Sequence, residues 1–246
     1  MSSRNLQQTL DFIAGLDLGF YDKNGRITLS DNEESALVND GVCSSFAANI
    51  TGQMKADVMN SVLLAQLAAN AKFNRQTQVD EWYDEYRKVL ETVGWIVERF
   101  ALDKINNTDD YGDVSALVLD IAKAILSPNE LPLLVKTIDS LKSGANKDAY
   151  RLYNNSAKSA QSANFQVGTV VSSGDDPVFK LTAHTFSASI EVLDILFFSF
   201  GSSSVSFRAG YQAMTLNSSF YAKVREAVLE KLGNTVQDFI ANINLG

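Results

Sequence analysis

Two side chains stand out for chemistry because each occurs once, Cys43 and His184. A thiol becomes a nucleophile or an acyl-attachment site when a helix start or a neighbouring cation lowers its pKa. Cys43 lies in DGVCSSFAAN, where the competing reading is a small buried core residue. His184 lies among Thr, Ser and Ala, a setting that favours a hydrogen-bonded structural imidazole over a general base. The two are the only catalytic candidates, as a Cys43/His184 pair or beside carboxylates, and both are weak. A Ser-His triad lacks its G-x-S-x-G elbow, and no S-x-x-K occurs.

Cofactor chemistry finds no support either. Neither a G-x-G-x-x-G nor a G-x-x-x-x-G-K-[ST] phosphate loop is present. One histidine and one cysteine leave no multi-Cys metal site, so no metal and no cofactor are expected. The run DKNGRITLSDNE from Asp22 looks like a calcium loop but fails on spacing. With Gly25 at the loop's invariant glycine position, its first ligand would be Phe20, which offers no oxygen. These gaps favour a non-enzymatic binding or interaction protein over a hydrolase or transferase.

One segment carries a different signal. SASIEVLDILFFSFGSSSVSFRAGYQAMTL contains two stretches of about eleven residues, the length of a membrane-spanning strand, around a Ser-rich turn. Phe197, Phe198, Phe200, Phe207 and Tyr211 crowd near that turn and are the candidate binding residues. The segment 190–213 is therefore a candidate hairpin of a membrane-active, toxin-like effector. Glu191 and Asp194 interrupt the strict alternation such a hairpin should show, and a central strand pair of a covered sheet is the competing reading.

Charge and composition narrow the partners. With 29 acidic and 21 basic residues the net charge is −8, which disfavours a nucleic-acid partner. An unidentified protein or lipid partner remains, and a homo-oligomer is left open. No apolar run reaches the roughly 18 residues of a transmembrane helix. The N-terminal stretch lacks the continuous apolar core of a signal peptide. A cytoplasmic site of synthesis is expected, with non-classical export open.

The elements that must position these residues follow from the period of the apolar side chains. Up to about residue 153 they recur every three or four positions, which predicts five or six helices. Among these are a short helix starting near Asp31, a small-residue helix over 52–73, and one beginning at Pro128. From Asn164 to about Thr215 the pattern alternates or runs continuously, which predicts an antiparallel meander with a bulge near 183–185 and a central strand at 193–200. Residues 154–164 read as a linker between a part at 1–153 and a part at 164–246, packed as one unit. Asn217 caps a further helix, and a short helix closes the chain at 235–243. The fold class is α+β.

Overall fold

The structure, a computed structural model, describes residues 3–19, 33–97, 101–202, 204–233 and 236–245. Helices α1 (Ser3–Gly15), α2 (Gly52–Lys72), α3 (Val79–Val93), α4 (Val114–Ala122), α5 (Leu131–Lys142), α6 (Lys147–Ala157), α7 (Ser218–Leu232) and α8 (Val236–Phe239) surround one mixed sheet. Its strands are β1 (Ser35–Asn39), β2 (Val42–Phe46), β3 (Trp95–Val97), β4 (Asp103–Ile105), β5 (Ser162–Ser173), β6 (Asp176–Ala188), β7 (Val205–Leu216) and β8 (Ile240–Ile243). The order is β3-β7-β6-β5-β2-β1-β8, with β4 also paired to β7.

The meander β5-β6-β7 matches the sequence reading, and the sheet around it does not. β2 runs parallel to β5, so the sheet is mixed, and its strands come from both halves of the chain. Helices likewise occur in both halves. The segment 35–46 is a hairpin, where a helix over 31–41 was expected. Asp40 and Gly41 form its two-residue turn, Asp40 at a positive φ of 51°. An Asp-Gly pair between apolar runs is a strong hairpin signal. It is masked here because β1 and β2 are buried on both faces and so do not alternate.

Other expectations shift. α6 extends through Ala157 and β5 starts at Ser162, so most of 154–164 is regular structure. β6 is in unbroken register with β5 through Ser187 and with β7 through Ala188, without a bulge. The expected central strand 193–200 is irregular chain ending in a 3-10 turn at Phe200–Ser202. Residues 240–243 add a strand beside β1 where helix was expected. Pro128 precedes α5, and Pro132 occupies its first turn. The Asn217 cap is as expected: its Oδ1 accepts from Phe220 N at 2.9 Å and starts α7. The DKNG turn, with Phe20 and the first calcium-loop positions, lies outside the described residues.

The sheet divides two apolar cores. On one side α1, α2, α3 and α7 pack over Leu37, Val42, Phe46, Val170, Phe179, Leu181 and Met214. On the other, α4, α5, α6 and the 192–200 segment pack over Val38, Cys43, Phe165, Val167, Phe186 and Phe207. These are called the α2 side and the α5 side.

Candidate functional site

Strand register assigns every residue of β5 and β7 to one side. On β5 the α5 side shows Ala163, Phe165, Val167, Thr169 and Val171, while the α2 side shows Asn164, Gln166, Gly168, Val170 and Ser172. On β7 the α5 side shows Val205, Phe207, Ala209, Tyr211 and Ala213. The α2 side of that strand shows Ser206, Arg208, Gly210 and Gln212 before it turns apolar at Met214 and Leu216. β6 carries apolar residues on both sides and does not share the pattern. Strands covered on both faces ordinarily read as continuous apolar runs. β5 and β7 instead alternate, as strands with one wet face do.

The cost appears beneath α2 and α3. Both amide atoms of Gln166 are buried without a hydrogen-bond partner, although the Tyr83 hydroxyl lies close enough for the amide to act on its acidity. Gln212 Oε1, Ser44 Oγ, Asn39 Oδ1 and Tyr86 Oη are also buried and unpartnered. A buried polar atom left unsatisfied costs roughly 1–3 kcal/mol.

A compact polar cluster pins the same layer at one end. Arg75, in the α2–α3 connection, donates from Nη1 to Asp40 Oδ2 at 2.8 Å and to Gln66 Oε1 at 3.0 Å. Its Nε donates to Asn164 O at 3.1 Å, and Asn164 Nδ2 donates back to Arg75 O at 2.8 Å. Tyr83 Oη donates to Asn164 Oδ1 at 2.8 Å. The guanidinium lies over Trp82 and against Gly41, where a Cβ would come within 2.3 Å of it. Arg75 and Asp40 are both buried, which makes this a desolvated ion pair with charge-assisted hydrogen bonds.

Cys43 and His184 are both fully buried on the α5 side, on β2 and β6, with β5 between them. Strands two apart lie about 10 Å from each other, so the sheet does not bring the pair together. Phe165 stacks on His184 with centroids 5.0 Å apart. Burial pushes the Cys43 thiol up to about 12 and the His184 imidazole down to about 3. Thr182 Oγ1 donates to Val167 O, so it accepts from His184 Nε2 at 2.9 Å. That bond fixes the Nε2–H tautomer and leaves Nδ1 buried and unpartnered. Among the described residues no group of His, Cys, Asp and Glu is arranged to hold a metal ion.

The five candidate aromatics separate. Phe198, Phe200 and Phe207 are buried: Phe198 and Phe207 pack on Phe186, whose ring stacks on Phe207 at 5.7 Å, and Phe200 packs on Phe198 and Phe207. Phe197 is 44% exposed, edge-on to Tyr150 with the Lys142 ammonium 5.0 Å from its ring centre. Tyr211 is 53% exposed on β7. Gln166, Asn164 and Arg75 were not singled out by sequence, although the period-2 alternation of FQVGTVV was the signal that could have flagged the first.

No described helix is long and apolar enough to cross a membrane. No family model and no curated protein matches this chain. Six solved chains do. The Evf virulence factor aligns at 13% identity and a TM-score of 0.40, over 94% of this chain and 92% of that one. A delta-endotoxin aligns at 13% and 0.40, over 80% and 88%. The activated Cyt2Ba monomer from Bacillus thuringiensis subsp. israelensis aligns at 8% and 0.35, over 67% and 88%. At these TM-scores the likenesses carry no weight for mechanism.

Proposed function

We propose that this protein acts on membranes without an enzymatic step, through strands β5, β6 and β7. The observation that supports this is the two-faced alternation of β5 and β7 inside a sheet covered on both faces. A strand needs about 9–11 residues to span a bilayer, and these three have 12, 13 and 12. In a membrane their α5-side residues would meet lipid, and Asn164, Gln166, Arg208 and Gln212 would face water or one another. Release of the α2–α3 layer exposes that polar side. Lys180 and His184 fall on the lipid side of β6; the first sits near a strand end, where lysine can reach the interface.

This reading moves the candidate hairpin. The spanning unit is β5–β7, because only 205–213 of the segment 190–213 is strand. Deep burial of Cys43 and His184 on separate strands favours it over a hydrolase or transferase. The test is dye release from phosphatidylcholine vesicles, with and without anionic lipid, at pH 7.5 and pH 5. Dose-dependent leakage is the expected result. Intact vesicles under all four conditions would refute the proposal.

A further inference from the structure

Among the described residues, nothing covers the α5 side of the sheet over its whole width. Helices α4–α6 and the 192–200 segment cap β1, β2, β5 and the Phe186–Phe207 end of the meander. Beyond them, register places Val171, Val178, Thr215 and Ile96 in one row across β5, β6, β7 and β3. In the next two rows only β7 adds to it, with Ala213 beside Lys180 and Tyr211 beside the buried Thr182. Ile96 is 64% exposed and Tyr211 53%, the other members are exposed or half-buried, and together they form one flat β-branched and aromatic surface. Scattered exposed apolar residues are ordinary, but a contiguous patch marks an interaction site.

The occupant follows from size and charge. One row across four strands at about 4.8 Å, extended along β7 by two residue pairs at about 7 Å, gives a footprint of roughly 200 Å². A stable protein interface needs about 800 Å² from each partner, so a second copy of the chain does not fit. In the row of Ala213, Lys180 is held by both oxygens of Glu130 at 2.7 Å, and at the margin, among the described residues, Asp103 faces Ala209 across the strand pair. Among the described residues the patch itself has no unpaired cation to attract an anionic surface, and the chain is acidic overall. Tyr211 supplies an apolar ring with a polar tip, the form that sits at a membrane interface.

We infer that this uncovered face of β3 and β7, centred on Ile96 and Tyr211, makes the first contact with a zwitterionic lipid surface, an inference that rests on the membrane reading above. The rival surface is Ile190, Leu193 and Phe197 beside α6, also exposed. There the acids Glu191 and Asp194 intervene, and the carbonyls of Val192 and Leu193 are tied to Lys158 and Asn154. Lipid contact at that segment would desolvate two carboxylates, which is costly.

Buried Cys43 leaves the native protein without an accessible thiol, so single-site labelling is direct. Ile96→Cys and, separately, Leu193→Cys would carry an environment-sensitive fluorophore and be mixed with phosphatidylcholine vesicles. The label at 96 is expected to brighten several-fold and shift to the blue at lipid ratios below those that cause leakage, with the label at 193 unchanged. Leakage with a silent label at 96, or a label at 193 that brightens at lower lipid ratios than the one at 96, overturns the inference and leaves the membrane reading standing. Wild-type protein that neither binds nor leaks vesicles overturns both. Unlabelled Ile96→Asp adds a second readout: vesicle co-sedimentation at least tenfold weaker with Tm unchanged. Undiminished co-sedimentation overturns the inference independently of the label.

Discussion

Gln166 is fully buried on β5 with neither amide atom hydrogen-bonded, and Gln166→Met keeps its length and flexibility while removing both polar atoms. An unsatisfied buried amide costs roughly 1–3 kcal/mol, and the nearby Tyr83 hydroxyl recovers part of that. The variant is therefore expected to be more stable by about 1–2 kcal/mol. At about 2–4 °C per kcal/mol for a chain of this size, Tm rises by about 2–8 °C in a thermal unfolding scan. On membranes the sign reverses. If Gln166 lines the water side of an inserted sheet, methionine there removes a polar contact, and dye release should fall at least tenfold. A lower Tm would mean the amide is satisfied in solution and the polar face is no liability. A higher Tm with undiminished leakage would mean the polar side of β5 plays no part at the membrane. Either result refutes the reasoning.

Acid should loosen the same sheet through His184. Its imidazole titrates near 3 in the fold against an ordinary value of 6.5, so the unfolded chain binds the extra proton between those limits. Stability from this group is complete above 6.5 and falls by about 1.4 kcal/mol per pH unit below it, about 2 kcal/mol between 6.5 and 5. Urea midpoints of wild type and His184→Leu from pH 7 to pH 5 check this: the wild type should lose about 2 kcal/mol more than the variant, and parallel curves would contradict it. Asp40→Asn keeps a residue tolerant of positive φ while stranding the Arg75 charge. Breaking a buried pair costs about 3–5 kcal/mol, and the low end is expected because Gln66 and Asn164 still accept from Arg75. A loss under 1 kcal/mol in chemical denaturation would show that the pair does not pin the α2–α3 connection.

The parts of this fold that were legible in sequence are those whose apolar residues keep one period. α2, α3 and α7 show helical spacing and clear end signals, and β5–β7 show their turns and much of their alternation. What failed had no clear period. β1 (SALVN) and β2 (VCSSF) are short and mix buried polar with apolar residues, and 193–200 offered an apolar-rich stretch without being a strand at all. Most of its apolar side chains pack into the α5-side core from irregular backbone, where Val114 and Ser115 donate to Phe198 O and Leu196 O. The site suffered differently. Cys43 and His184 drew attention by rarity, whereas Gln166 and Arg75 belong to common residue types whose meaning comes from burial.

Stability and polarity are distributed unevenly across the α2 side. Near the β1–β2 turn, Arg75, Asp40, Gln66, Asn164 and Tyr83 bond to one another with only Arg75 Nη2 left over, and the α2–α3 connection is held by a reciprocal pair of bonds to Asn164. A few residues along the strands, Gln166, Ser44 and Gln212 face the same helices with orphaned atoms. A layer fastened at one end and poorly matched in the middle opens by rotation about the fastening, because local opening starts where contacts are least favourable. Among the described residues the α5 side has no such mismatch beyond His184 Nδ1 and Tyr150, so α2 and α3 should swing before α4–α6 leave the other side. The polar side of β5 and β7 would then meet water first. Their apolar side would meet lipid first at the exposed Ile96 and Tyr211 and over the rest only as α4–α6 follow, so the two faces need not be exposed to water together.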